Sequence, residues 1–454
     1  MTLLSNNPAT GGQVSDAASD ASAAASENPP RRSAWSSLRV RNYRLFASGQ
    51  IVSLTGTWMQ RIAQDWLVLQ LTDSGTALGV VTALQFAPTV LFSLWGGMLA
   101  DRLDKRRLLL LTQSGLALCA AVLGALVISH SVAYWQVLVL AVLVGIIGAL
   151  DTPARQSFVV EMVGREDLAN AVAINSAIFN AGRVLGPALA GVLISAVGTG
   201  WAFLANAASS VAVLAALVLM RTADLRPAPA VARGPGQLRA AFAYVRSRRD
   251  LSLAMVLVFI VGTFGMNFQI TTALLAKQVF AQGADGFGVL STMLAIGATV
   301  GAVLSARRQR RPSSVFLLLT AAAFGVVEVG AGSMPTYITT ALLLVPAGLL
   351  MITFTTAANS SVQLGTDPTL RGRVMALYFM CFMGGTPFGA PVIGWVAEVF
   401  GPRWGMIGGG AICAVAGVAG ALVFARSGGA RGMSAWRRLR TRPNAGSAAG
   451  RRPA

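Results

Sequence analysis

Asp65 and Arg61 stand four residues apart inside an apolar stretch, a spacing that puts both on one face of a helix. A carboxylate and a guanidinium that deep in hydrocarbon are costly unless paired, hydrated or neutralised. Two chemistries suit them. Either Asp65 takes up and releases a proton, with Arg61 or Arg183 easing its release on one side, or the charges form a permanent structural pair that never titrates. Arg183 lies near the middle of another apolar run and must meet an acid, backbone carbonyls or a water-filled cavity; Asp65 is the acid nearest in depth. Glu328 and Glu398 fall toward the ends of two later runs, where each carboxylate reaches interfacial water. The remaining polar groups in apolar runs are amides, among them Gln60, Gln64, Asn267 and Gln269, which either hold helices together or face a polar cavity.

Other chemistries lack their residues. His130 is the single histidine, and Cys119, Cys381 and Cys413 are scattered without metal-ligand spacing, so neither a metal site nor a His-based triad is expected. No Gly-x4-Gly-Lys-Ser/Thr loop is present to cradle a nucleotide, so no cofactor or direct ATP drive is expected. The formal charge of +19 sits in short segments between apolar runs rather than on a soluble basic face, which argues against nucleic acid as a partner.

The elements that position these groups are read from hydropathy. With 54% hydrophobic and 12% charged residues and a mean hydropathy of +0.63, the chain has too little polar surface for a soluble globule and is expected to be embedded in a lipid bilayer. Runs long enough to cross it fall at about 47–71, 76–100, 108–129, 135–157, 169–197 and 199–220. Six more follow at about 252–280, 286–306, 314–333, 336–358, 374–399 and 402–425. The expected organisation is a disordered tail (1–33), a six-helix bundle (34–220), a linker with an interfacial helix (221–250), a second bundle (251–426) and a basic tail (427–454). In the linker helix, Leu238, Phe242 and Val245 share a side, and Ala34–Phe46 suits a short helix at headgroup level. Alternating the loops between sides leaves 32 of 36 Lys and Arg residues on one side, which predicts cytoplasmic termini.

The halves repeat. At an offset of 203, Gly182, Gly186, Gly191, Gly198 and Trp201 fall on Gly385, Gly389, Gly394, Gly401 and Trp404. Parallel six-helix repeats of this kind place a substrate path at their interface. Gly182, Gly186 and Gly191 let helices approach closely while Pro187 bends the span, a face that either slides as two bundles rock or simply packs.

Gly97-Met98-Leu99-Ala100-Asp101-Arg102, followed by Lys105-Arg106-Arg107, resembles the loop 2–3 signature of the major facilitator superfamily. Gly182-Arg183-Val184-Leu185-Gly186-Pro187 with Gly191 resembles the fifth-helix signature of its antiporter branches. Thr57 through Leu67, with Leu71-Thr72-Asp73-Ser74, is similar to an exporter branch that includes siderophore exporters and multidrug-type permeases. The resemblance implies an all-α membrane protein with twelve transmembrane helices in two pseudo-symmetric six-helix bundles, in a bacterial inner membrane. It also implies that Gly97, Asp101, Arg102, Lys105, Arg106 and Asp151 lock the outward-facing state. Asp104 replaces the family's usual Gly, and Ser305 stands where Asp101 maps in the second half, so the lock is expected to be asymmetric. Cavity-lining first, fourth, seventh and tenth helices would bring Trp58, Gln60, Gln64, Phe264, Asn267, Phe268 and Gln269 to substrate. The function expected is proton-coupled export of a small amphipathic or hydrophobic compound by a monomer, with small-molecule substrate and protons as partners. A nutrient importer is the alternative, and a transport-dead receptor a more distant one.

Overall fold

A computed structural model describes residues 35–164, 166–226, 237–308 and 311–425, without the side chains of Ser93, Leu94, Ala100, Asp101 and 237–240. The two tails, Arg165 and much of the linker therefore lie outside the described residues. Six helices make the first half: span 1 (Arg41–Thr72), span 2 (Gly75–Arg102), span 3 (Lys105–Ile128), span 4 (Tyr134–Val163), span 5 (Leu168–Val197) and span 6 (Thr199–Leu219). After a helix at Gln237–Ser247, the second half follows as span 7 (Arg249–Val279), span 8 (Ala284–Ala306), span 9 (Ser314–Ser333), span 10 (Tyr337–Gly365), span 11 (Arg371–Phe400) and span 12 (Pro402–Phe424).

Eleven of these stretches are long and apolar enough to cross a membrane. Span 1, 32 residues long, makes the twelfth crossing with a more polar sequence. Its polarity has a physical reason: Gln50, Ser53, Gln64 and Asp65 are buried against protein rather than lipid. Caps fix several starts. The Ser74 hydroxyl accepts from Ala77 N, the Asp104 carboxylate from Arg107 N, and the Ser313 hydroxyl from Phe316 N. Asp104, the departure from the family's Gly, thus begins span 3 as an N-cap.

We call the end carrying the linker the linker face and the opposite end the distal face. Spans 6 and 12 each start on the distal face after a glycine with φ of +90° (Gly198) or +105° (Gly401), a conformation that would strain any side chain. These two glycines are equivalent in the repeat. A further equivalence emerges from the structure: Tyr134 donates to Ala77 O at 2.9 Å, and Tyr337, 203 residues on, donates to Gly286 O at 2.9 Å.

Three details differ from expectation. Residues before span 1 form a 3-10 turn (Ser36–Arg39) rather than a headgroup-level helix, because Tyr43 and Phe46 bury inside the bundle, Tyr43 donating to Ala171 O. In the linker helix, Ala241 and Val245 are buried while Phe242 is exposed, so Phe242 and Val245 do not share the covered face. Span 7 is broken: π-turns at Val261–Gly265 and Leu275–Val279 flank a short helix, Phe268–Leu274. Such turns free backbone groups and occur often at functional sites. Here the Asn267 amide donates to Thr263 O at 2.8 Å and Phe264 O at 3.2 Å, satisfying the break.

Candidate functional site

The two halves meet along spans 2 and 11 and along spans 5 and 8. Glycine makes both seams possible. A Cβ on Gly394 would lie 2.1 Å from Gly75 O, and one on Gly288 2.6 Å from Pro187 O; Gly191 packs against Asp285. Within each half, the same row turns inward. Gly182 and Gly186 back onto span 1 at Leu54, Thr55 and Trp58, while Gly385 and Gly389 back onto span 7 at Thr263. The expected row Gly182, Gly186, Pro187 and Gly191 therefore joins its own half at one end and the opposite half at the other, and its repeat does likewise.

At the distal face the halves are latched by polar bonds. Lys277 Nζ lies 2.6 Å from Leu69 O and 3.0 Å from Asp73 Oδ1, and Gln278 donates to Asp73 O at 3.1 Å. The Glu398 carboxylate accepts from Ser74 Oγ at 2.6 Å and Thr76 N at 3.0 Å. Hydrogen bonds from Lys277 and Gln278 hold the Asp73 carboxyl below its ordinary range. Every hydrogen bond and ion pair between the two halves among the described residues lies here. Just beneath, Trp66 of span 1 stacks on Phe287 of span 8 with centroids 6.2 Å apart. Glu398 thus has partners across the seam where interfacial water was expected. Its partner Ser74 lies 324 residues earlier, which no local pattern reveals; the one usable signal was a lone lysine, Lys277, with the acids Asp73, Asp285 and Glu398 on a face poor in charge.

Between spans 2, 7 and 11 lies a cavity of about 150 Å³, lined by Thr82, Phe86, Met266, Asn267, Gln269 and Phe382 among others. It opens beside the break in span 7 and brings together two expected substrate contacts, Asn267 and Gln269. Others sit elsewhere. Phe268 is buried edge-on against Phe324, Gln60 accepts from Asn206, Gln64 donates weakly to Gln85 at 3.5 Å, and Trp58 packs edge-on against Phe179. Phe264 is half-buried, and its carbonyl serves the Asn267 bond.

Arg61 and Asp65 form no ion pair. The guanidinium stacks over the Trp58 ring at 4.7 Å from its centroid, and Asp65 is 6% exposed with Oδ2 lacking any hydrogen-bond partner. An aromatic face one turn back competes successfully for the cation. Arg183 is half-buried in span 5 and no bond to an acid is found for it among the described residues.

Of the expected lock residues, Gly97 is buried in span 2, Arg102 is exposed, and the side chain of Asp101 lies outside the described ones. The others are engaged within the first half. Lys105 pairs with Glu161 at 2.6 Å, and Arg106 donates to Leu217 O and Val218 O, capping span 6 where its dipole is negative. Asp151 pairs with Arg155, accepting also from Thr112 at 2.8 Å and Gln113 at 2.7 Å, and Arg155 reaches Gln50. A lock reaching across to the second half is not made by Lys105, Arg106 or Asp151 while the distal face is closed.

The family model described as transmembrane secretion effector matches residues 32–445. The staphyloferrin A transporter of Staphylococcus aureus (strain NCTC 8325 / PS 47) is 27% identical over 361 residues, 79% of this chain and 90% of that protein. An enterobactin exporter, EntS, of Citrobacter koseri is 25% identical, over 79% of this chain and 86% of its own. Among solved structures, a bacterial homologue of the human lysosomal transporter Spinster, inward-facing and unoccupied, superposes with a TM-score of 0.67 at 15% identity, covering 84% of this chain and 95% of that one. The nucleoside transporter NupG superposes at 0.66 and 14% identity, over 84% and 99%. Twelve crossings, a repeated glycine seam and a match running nearly the whole length place this chain in the transmembrane secretion effector family of the major facilitator superfamily, as a multi-pass membrane transporter.

Proposed function

We propose that this chain is a proton-coupled exporter of a small amphipathic compound of the siderophore or drug class, working as a monomer by alternating access. The linker face is cytoplasmic on this reading, since 32 of 36 basic residues belong to it, and the conformation described is closed to the outside. Residues 34–220 and 251–426 are the two moving bodies, joined by 221–250. When the distal latch opens, the loop after span 2 swings toward the second half, and Asp101, Arg102, Lys105, Arg106 and Asp151 become available for the opposite lock.

The observation that carries the coupling is Asp65: a buried carboxyl whose Oδ2 has no hydrogen-bond donor, although Arg61 shares its face. A permanent structural pair would satisfy that oxygen; an unpaired one is open to a proton. Release is eased when Arg61 leaves Trp58 or Arg183 approaches. The cargo class is borrowed from the staphyloferrin A transporter and the enterobactin exporter, and export from the latter; the cavity offers amide and aromatic groups to amphipathic cargo and, at about 150 Å³, must widen to admit it.

Inverted vesicles test this directly. With an imposed pH gradient and a panel of siderophores, dyes and antibiotics, an exporter accumulates its cargo while the lumen becomes alkaline, and Asp65→Asn abolishes the proton movement. Cargo accumulation with proton movement unchanged in Asp65→Asn overturns the assignment.

A further inference from the structure

Among the described residues, three buried side-chain atoms have no hydrogen-bond partner, and two of them are carboxylate oxygens, one in each half: Asp65 Oδ2 and Glu328 Oε2. Glu328, in span 9, is 2% exposed. Its carboxyl rests in a cradle of bare backbone. A Cβ on Gly265, the last residue of the π-turn in span 7, would lie 3.2 Å from Oε2 and 2.6 Å from the Cys413 sulfur of span 12. One on Gly409 of span 12 would lie 3.6 Å from Oε1. The same break in span 7 lines the cavity between the halves through Gly262, Met266 and Asn267.

Among the described residues no counter-charge is built in. Span 12 offers the neutral thiol of Cys413, and its Arg403 is committed to Gly332 O and Met334 O at the distal end. Span 7 carries Arg249 and Asp250 at the linker end and Lys277 in the distal latch, while span 10 presents Tyr337, bonded to Gly286 O. An ionised carboxylate left alone in such a place costs several kcal/mol.

We propose that Glu328 is a second proton-binding site, which holds its proton while the distal face is closed and exchanges it when the broken turn of span 7 rearranges. Losing the proton sets a bare charge against Gly265, and relief requires water, which enters only if spans 7, 9 and 12 part around the break. The broken turn joins that carboxyl to the substrate cavity on its other side. Proton binding here stands apart from the transport reading, on which rests only the use made of the proton.

Infrared difference spectroscopy of the purified full chain needs no substrate. At about pH 7, where a free glutamate with a pKa of about 4.3 is ionised, wild type minus Glu328→Gln shows the carbonyl stretch of a protonated, weakly hydrogen-bonded acid. Glu328→Asp, a variant that keeps the acid, retains a shifted band. In Lys277→Ala, whose distal latch is weakened, the band shrinks at the same pH as the carboxylate bands grow. A wild-type spectrum with carboxylate bands in place of the acid band at Glu328 overturns the proposal. So does an acid band of unchanged size in Lys277→Ala when distance measurements show its distal face open.

Discussion

Replacing Lys277 by alanine removes the cation that ties the start of the second half to the first. Three contributions are lost. The ion pair to Asp73 is mostly in water, with that carboxylate's side chain 68% exposed, so it contributes about 0.2 to 1 kcal/mol. The 2.6 Å bond to Leu69 O is charge-assisted, worth about 1.5 to 3 kcal/mol in a shielded setting and less here, where water can replace the ammonium. Placement of a cation at the carbonyl end of span 1 adds about 0.3 to 1 kcal/mol. Because these terms overlap, a net shift of about 1 to 2 kcal/mol against the closed distal face is expected, about five- to thirtyfold in the ratio of closed to open molecules. Spin labels at Ser131→Cys and Ser333→Cys, exposed positions on the distal face of opposite halves, read that ratio by pulsed dipolar spectroscopy in a chain with Cys119, Cys381 and Cys413 replaced by alanine. The expected result is a second, longer distance population, larger still in Lys277→Ala with Glu398→Gln. An unchanged distance distribution in the double variant, with the melting temperature of the parent, refutes the latch.

Further outcomes follow from the same contacts. Gly389→Ala places a Cβ 1.7 Å from Thr263 O within the second half, and at a cost of about 1 to 3 kcal/mol or more its thermal midpoint in detergent falls clearly below that of Gly182→Ala, whose nearest contact is 3.3 Å. Gly394→Ala instead meets Gly75 O across the seam, so the same spin labels report distal opening with a smaller loss of thermal midpoint. Because hydrogen bonds from Lys277 and Gln278 depress the Asp73 carboxyl in the latched state, its contribution to closure is complete above the free aspartate pKa of about 3.9 and is lost as the pH falls through the lower latched value. Closure through Asp73 is therefore constant from neutral pH down to about pH 5, and the label distances of Asp73→Asn lose the acid-dependent part of any opening below that.

The architecture was legible where physics acts along the chain. A run of twenty apolar residues has few alternatives to crossing the bilayer, and Gly182, Gly186 and Gly191 with their repeats mark close helix contacts, tightest at Gly389 and Gly394, where a Cβ would lie 1.7 Å from Thr263 O and 2.1 Å from Gly75 O. What the chain order hides are contacts made by distant segments. Ser74 and Glu398, or Asp73 and Lys277, become neighbours only once both halves are assembled. The pairing of Tyr134 with Tyr337 in the repeat was readable in principle, yet two tyrosines at helix starts carry no signal until each is seen donating to the span beside it. Depth along a helix likewise does not reveal facing. Glu328 lies within reach of the distal interface by count, but its neighbours are the glycines and thiol of spans 7 and 12, which exclude the water expected there. Arg61 and Asp65 at helical spacing suggested a pair, and the competing ring of Trp58 on the same side settled the matter otherwise.

Alternating access is tested most directly by bridging the distal seam. With the natural cysteines removed, Ser74→Cys and Glu398→Cys stand where the Ser74 hydroxyl and Glu398 carboxylate now meet at 2.6 Å, and a short thiol-specific linker joins the halves. Cargo flux identified by the vesicle screen should stop when the bridge forms and return when it is cleaved. Flux that continues unchanged through the bridged protein contradicts a transporter whose distal face must part for cargo to leave.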